Sequence, residues 1–362
     1  MNESPAMVPA PAPASTALPV DWKALHRFAS GLLSAAGMSA ADAACVADLL
    51  VWADLRGVHS HGVSRLPQYA GWLASGEMNP APSIRTVVDL PALQVIEGDR
   101  CAGALGMRHA VDAVIERARS AGSSVALLRA TTHTGAVGFH TERIARAGML
   151  GVAAAASVPL MAYHGAGRAA LGTAPLSIAA PRGDGHPPIV FDMASAVVAM
   201  GKLRQAKAKG EPIPADWALD AHGQPTTDPA LAKVPLPVGG AKGSGLALMF
   251  EVIASLLTAN PILAPALAAA GGSKHPHVQN AFVMALDIER IVDPDVYRRD
   301  IEALAATIHA LPPNGASPVL LPGERGEAKR AAQAPAGIAL PAGVRRDLTA
   351  LAASLRVPLP WA

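Results

Sequence analysis

The stretch Asp54-Leu-Arg-Gly-Val-His-Ser-His-Gly-Val-Ser-Arg65 sets a proton carrier four positions before an anion grip. An unperturbed imidazole titrates near about pH 6.5, so His61 can give or take a proton close to neutrality. Arg65 stays charged and its planar fork matches a carboxylate. Gly57 and Gly62 let the backbone bend around both, and the Ser60 hydroxyl adjoins His61, where it can orient the ring or relay a proton. The combination points to proton transfer on a small carboxylate. The same segment also reads as an ordinary polar turn after a helix, or, through His59 and His61, as a metal-ligand pair of a metal-dependent hydrolase. Support for a metal is poor: Cys45 and Cys101 are isolated and no His-Glu-x-x-His run occurs, so no metal site is assigned.

A nicotinamide or other nucleotide site announces itself through glycines that admit phosphate to backbone N–H groups. Gly165-Ala-Gly-Arg-Ala-Ala170 formally fits the Rossmann pattern, but Pro159 ends the strand before it, and Gly172 and Pro175 leave no room for the helix after it. Gly239-Gly-Ala-Lys-Gly-Ser-Gly245 opens an apolar helix, and its glycines with Lys242 can hold a pyrophosphate at the helix's positive end. Its spacing is not that of a Walker A loop, which argues against an ATPase. The alternative reading of the same glycines is close helix packing through small residues. A third loop, Thr131 to Gly138, offers His133 as a second acid/base or a cofactor contact.

The elements that must position these groups follow from periodicity. Helices are expected over Asp21–Ala36, from Ser39 to about Leu55, and over Leu66–Ala74, which puts the His-Ser-His turn just beyond a helix C-terminus. Strands are expected within Ile84–Glu97, broken at Pro91, and at Ser124–Arg129, Gly151–Ala156, Thr173–Ala180, Ile189–Met193 and Asn280–Asp287. Further helices are expected near Ala102–Ala121, Thr141–Ala147, Gly243–Thr258, Asp295–Leu311 and Ala339–Leu355. Residues 201–240, rich in Pro, Lys, Asp and Gly, read as a long irregular excursion.

Composition excludes several classes. A net charge of +2 gives neither a basic stripe for nucleic acid nor a polybasic patch for a membrane. Two cysteines cannot staple a disulfide scaffold and fit a reducing cytoplasm. The Pro- and Ala-rich residues 1–18 read as a disordered tail rather than a secretory signal.

Six ordered motifs then resemble one family, the type-2 malate/L-lactate dehydrogenases, over about residues 20–330. They are Ser60-His-Gly-Val-Ser-Arg65, Thr132-His-Thr-Gly-Ala-Val-Gly138, Gly172-Thr-Ala-Pro175, Ile189-Val-Phe-Asp-Met-Ala194, Gly239-Gly-Ala-Lys-Gly-Ser-Gly-Leu246 and Leu321-Pro-Gly-Glu324. The resemblance implies a non-Rossmann NAD(P)-binding α/β fold with a mixed, largely antiparallel sheet. Its sheet region would be 81–290, and the N-terminal helical segment 19–80 would pack with a C-terminal one, 291–362. It implies a homodimer acting on a small carboxylate, converting a 2-oxo acid to its 2-hydroxy acid or, alternatively, reducing a cyclic imino acid such as Δ1-piperideine- or Δ1-pyrroline-2-carboxylate. By position, His61 would be the acid/base with Ser60 and Asp192 as its relay, Arg65 would hold the carboxylate, and Thr141 and Thr173 would lie on the substrate side. Cofactor contacts would fall on His133, Thr134, Gly135, Ala136, Val137, Ala180, Pro181, Arg182, Lys242, Gly243, Gly323 and Glu324. Either NAD or NADP is expected: Arg182 suits a 2′-phosphate and favours NADPH, whereas Asp184 can accept from a ribose hydroxyl. The chain departs from the family at Ala174, where Asn is usual, at Tyr163-His164, and at Phe139, where many members carry Tyr.

Overall fold

The computed structural model describes residues 19–183, 185–269 and 277–361; the tail 1–18 and Asp184 lie outside the described residues. Helix α1 (Trp22–Ala35) is capped by the Asp21 carboxylate, and α2 (Ala40–Leu55) by the Ser39 hydroxyl, as the sequence signals require. After α2 the chain makes two 3₁₀ turns, His59–His61 and Val63–Arg65, before α3 (Leu66–Ser75) ends on Gly76 in the left-handed conformation. The hairpin β1 (Arg85–Leu90) and β2 (Leu93–Glu97) follows, then α4 (Gly103–Ala121), β3 (Ser123–Thr131), α5 (Val137–Arg146) and β4 (Met149–Ser157). A small ribbon, β5 (Met161–Ala162) with β6 (Ala169–Leu171), precedes β7 (Leu176–Ala180) and β8 (Ile189–Met193). Then come α6 (Met200–Lys209), the ribbon β9 (Ala218–Leu219) with β10 (Val234–Pro235), α7 (Ala241–Glu251), a π-helical turn Val252–Leu256 and α8 (Leu263–Ala268). The central strand β11 (Gln279–Asp287), α9 (Pro294–His309), α10 (Glu324–Ala336) and α11 (Ala342–Leu355) complete the chain.

The sheet has the order β1-β2-β3-β11-β4-β7-β8, and only β2 and β3 pair in parallel. The mixed, largely antiparallel α/β architecture implied by the motifs is therefore present. Side chains alternate across a strand, so Ala153 and Ala155 of β4 pack under α4 and α5, while Ala154 faces Phe250 of α7 on the other side. Alanine is what lets helices lie close on both faces of this strand.

A separate core joins the chain ends. Leu25, Phe28, Leu32 and Leu33 of α1 pack with Leu49 and Leu50 of α2 and with Leu348 and Ala352 of α11, and Val20 bridges to Ile338. α9 does not join it. It docks on the sheet edge through Arg182–Glu302 and the Tyr297 hydroxyl on the Pro181 carbonyl, so the C-terminal partner of the N-terminal helices begins at α10 rather than at 291.

Local structure departs from the sequence reading in three places. The excursion 201–240 opens with α6, whose helical character was hidden because only Leu203 and Ala206 are buried. α10 carries no buried residue and so has no apolar stripe to read. α5 starts at Val137 rather than Thr141, because Gly135 (φ +74) completes the turn earlier.

Candidate active site

The catalytic turn is built around a buried carboxylate. Asp54, near the end of α2 and only 1% exposed, accepts the Val63 N–H at 2.7 Å and bonds His59 Nδ1 at 2.8 Å. A Cβ at Gly62 would lie 2.1 Å from Asp54 Oδ1, so only glycine lets the chain wrap the carboxylate this closely. His59, one member of the metal-ligand pair considered from sequence, spends its Nδ1 on this support. Burial raises the Asp54 pKa, with the His59 and Val63 bonds opposing.

The turn so fixed presents Ser60, His61 and Arg65. Ser60 Oγ lies 3.0 Å from His61 Nδ1, and Arg65 donates its Nε–H to the Ser60 carbonyl at 2.6 Å and an Nη1–H to Gln68 at 2.9 Å. Burial, and then the Arg65 charge, lower the His61 pKa to about 4, so the ring is neutral at physiological pH. Burial and the facing Arg204 also lower Arg65, while Tyr69 opposes them. Gly201 of α6 packs against Ser60, so that basic helix closes one side of the turn.

His133 arrives from the β3–α5 loop and stacks on His61, ring centroids 5.4 Å apart and planes 21° apart. Its Nδ1 lies 2.7 Å from the hydroxyl of Tyr69, a fully enclosed α3 residue. Burial first, then His61 and Arg65, push the His133 pKa well down. Gly103 braces this loop from α4, since a Cβ there would meet the His133 carbonyl at 2.2 Å. Beyond His133 the Thr134 N–H and hydroxyl both go to Gln279, at 2.9 and 3.0 Å. No side chain caps α5, and among the described residues the N–H groups of Gly135, Ala136 and Val137 have no backbone acceptor. These open donors at a helix's positive end, one step from His133, fit the polar edge of a dinucleotide.

Asp192 makes no hydrogen bond to His61 or Ser60, as the relay carried over by resemblance would require. Its Oδ2 instead accepts the Gly138 N–H at 2.9 Å, and a Cβ at Gly138 would sit 2.8 Å from that oxygen. Burial pushes its pKa up to about 6, against the Gly138 bond and the Arg56 charge, although the residue keeps exposed surface. Thr141 is fully buried, with its hydroxyl 2.6 Å from Ser177 and 3.3 Å from the Gly138 carbonyl, so it supports the Gly138 turn from beneath. The Thr173 carbonyl accepts the Ser195 N–H, which ties the Gly172–Pro175 loop to the strand leading out of β8.

The remaining cofactor candidates divide. Lys242 is exposed and without a side-chain partner among the described residues, but its N–H and that of Gly243 close back on Gly239 and Val238. This end of α7 therefore offers an anion its dipole and one ammonium rather than an open N–H cradle. Arg182, expected from sequence to meet a 2′-phosphate, is consumed by a two-pronged pair with Glu302 at 2.6 and 3.0 Å and leaves 8% of its side chain exposed. Of the two cofactors the sequence left open, the argument for NADPH from Arg182 has no free guanidinium behind it. Ala180 and Pro181 form the shoulder on which Tyr297 rests. Glu324 is committed to His309 and the Leu321 N–H, and Gly323 (φ +91) lies against Val190 and accepts from Arg56.

Sequence reasoning missed Asp54 and Tyr69 as functional supports, and Arg56 with them. Arg56 runs from the end of α2 to Glu327 of α10 at 2.8 Å and Glu142 of α5 at 3.5 Å, and Trp52 donates to the same Glu142. This cluster registers the helix carrying the catalytic turn against α5. Tyr69 had a usable signal, lying four positions after Arg65 on one helix face. Arg56 had none, because its partners Glu142 and Glu327 lie far away in sequence, whereas Asp54 stands only a few positions before His59 and Val63, within the turn it supports. A groove of about 660 Å³ between Trp52, Phe139, Arg143 and Arg146 is a separate feature, and its Arg143 and Arg146 are paired to Asp112 and Glu142.

Comparison with known proteins identifies the family and the fold. The malate/L-lactate dehydrogenase family model matches residues 20–349. An NAD(+) ureidoglycolate dehydrogenase of Escherichia coli O157:H7 is 35% identical over 242 residues, 67% of this chain and 69% of that protein. The structure of sulfolactate dehydrogenase from Methanocaldococcus jannaschii superposes with a TM-score of 0.85 at 30% identity, covering 94% of this chain and 98% of the other. Δ1-Piperideine-2-carboxylate reductase from Pseudomonas syringae pv. tomato gives 0.82 at 27% identity, covering 92% of this chain and all of the other (100%). With the family model matching residues 20–349 and a relative 35% identical over two thirds of both chains, the chain belongs to the malate/L-lactate dehydrogenase family.

Proposed function

We propose that this enzyme interconverts a small 2-oxo acid and its 2-hydroxy acid, using a nicotinamide cofactor for hydride transfer and His61 for the matching proton. The observation that carries the reading is the lock of Arg65 onto the Ser60 carbonyl beside the Ser60–His61 bond, which holds an anion grip and a proton carrier in one frame. When bound, the cofactor accepts or supplies the hydride at its nicotinamide C4. The chain's own residues do the rest. Arg65 orients the substrate carboxylate, and the neutral His61 takes the hydroxyl proton during oxidation or returns it during reduction. The N–H groups of Gly135–Val137 line the cofactor side, and His133 stands between them and His61.

NAD is the proposed cofactor, because Arg182 is consumed by Glu302 and the ureidoglycolate dehydrogenase relative is named for NAD(+). Turnover of a panel of 2-oxo acids with NADH and NADPH tests both statements. Failure with every oxo acid would end the dehydrogenase reading, and a preference for NADPH would end the cofactor assignment.

One observation favours a second reading. With its pKa near 4, His61 holds little proton at neutral pH, and a cyclic imine that arrives already protonated needs none. The similarity to the piperideine-2-carboxylate reductase structure points the same way, so Δ1-piperideine- and Δ1-pyrroline-2-carboxylate belong in the panel.

A homodimer is proposed on the exposed cross-strand pair Ile178–Phe191, which adjoins Asp192 on the β7–β8 edge and leaves apolar surface for a second copy. Light scattering that returns a monomer mass would reject it. A cytoplasmic location is supported by the two free cysteines, Cys45 and Cys101. No helix among the described residues is long and apolar enough to cross a membrane.

A further inference from the structure

The contact between Tyr69 Oη and His133 Nδ1, at 2.7 Å, can be donated from either side, and the surroundings decide which. Tyr69 is 3% exposed, and its oxygen has no other hydrogen-bond partner among the described residues. If the imidazole donated, the phenol proton would be left buried without an acceptor, a costly arrangement. If the phenol donates, every proton at the contact is used: Nδ1 accepts, and the ring proton of a neutral imidazole must sit on Nε2. A doubly protonated ring is disfavoured as well. The groups facing His133 are His61 and Arg65 from the catalytic turn and the phenol of Tyr69 from α3, with no carboxylate among them, and burial adds to the penalty.

We propose that Tyr69 is a positioning residue that fixes His133 as the neutral imidazole with its proton on Nε2, making His133 a permanent hydrogen-bond donor beside His61 rather than a second proton carrier. The Nε2–H has no acceptor among the described residues, and His133 keeps part of its surface open. Its partner is therefore an oxygen of the bound acid. The two stacked imidazoles divide the work: His61 exchanges a proton, and His133 polarises without exchanging one. This assignment rests on the dehydrogenase reading for the identity of the acceptor, but the tautomer itself does not.

The test separates the two. Histidine is labelled with nitrogen-15 in the full chain, without cofactor or substrate, and two-bond nitrogen–proton correlations report which ring nitrogen carries the proton. The His133 signal is assigned by its loss in His133→Asn. The expected pattern is a protonated Nε2 and a bare Nδ1 throughout the neutral range. In Tyr69→Phe the pattern should become a mixture of tautomers, and kcat/KM should fall about tenfold, the size expected for loss of one neutral hydrogen bond. His133→Asn, which keeps an N–H donor, should retain more activity than His133→Ala. A proton found on Nδ1, a cationic His133 at neutral pH, or an unchanged pattern in Tyr69→Phe would each overturn the proposal. Should Tyr69→Phe fail to fold, the wild-type pattern alone decides. The expected tautomer in a protein that turns over no oxo acid or cyclic imine would reject the redox reading and leave the assignment of Tyr69 standing.

Discussion

Arg65 and Ser60 are joined by a 2.6 Å hydrogen bond from the guanidinium Nε to the main-chain carbonyl, so the residue that grips a carboxylate also fixes the peptide next to His61. Binding and proton transfer are thereby coupled through one atom. Replacing Arg65 with Met should weaken substrate binding by about 2–5 kcal/mol, as expected for truncating one partner of an enclosed charge pair. KM for the acid should rise while NADH affinity, measured by fluorescence quenching, stays near wild type. Equal loss of both would place Arg65 elsewhere.

The same pair sets a pH dependence. Burial and the Arg65 charge hold the His61 pKa near 4, and oxidation of a hydroxy acid needs the neutral ring. Below that pH the ring is protonated and log kcat/KM for oxidation should fall. Arg65→Met removes a like charge that disfavours the protonated form, so its acid limb should move up toward the ordinary histidine value of about 6.5. A full pH profile of both proteins checks the sign, and a limb that moves down or stays put contradicts the assignment to His61.

Asp54 and Gly62 form the mould for the turn. Asp54→Ala strands the Val63 N–H and releases His59, and loss of these partners should cost about 1–3 kcal/mol in stability. Gly62→Ala drives a Cβ to within 2.1 Å of the carboxylate, an overpacking expected to cost about 1–3 kcal/mol or more. Gly71 in α3 is the control: nothing lies within 4 Å of its Cβ position, so Gly71→Ala should stabilise by about 0.5–1 kcal/mol. Urea unfolding of the three variants should give opposite signs for the two glycines.

Ala174 stands at φ +36, a left-handed setting that costs Ala more than Gly or Asn. Ala174→Gly should relieve strain and raise stability, by about 0.5–1 kcal/mol once the added freedom of the unfolded chain is offset. A lower melting temperature for this variant would show that the loop holds the strain for another reason.

Much of this molecule was legible because its signals are local. The capped starts of α1 and α2, the break at Pro91 and the glycine after α3 are all written within a few residues of the features they cause. The turn bearing His61 and Arg65 could be read for the same reason. What could not be read depends on pairs remote in sequence: Asp192 on Gly138, Arg182 on Glu302, Arg56 on Glu327, and Tyr69 on His133. Arg182 shows the hazard most plainly. Its guanidinium suits a phosphate in isolation, but a glutamate from α9, 120 positions later, has already taken it. α10 escaped notice because a helix with no fully buried residue leaves no apolar stripe in its sequence.

The central claim is that His61 carries the proton, and single-turnover kinetics of His61→Ala test it most directly. The account predicts that hydride transfer to the preferred oxo acid slows by about 10²- to 10⁴-fold while NADH binds as in the wild type. Hydride transfer at close to the wild-type rate would contradict it.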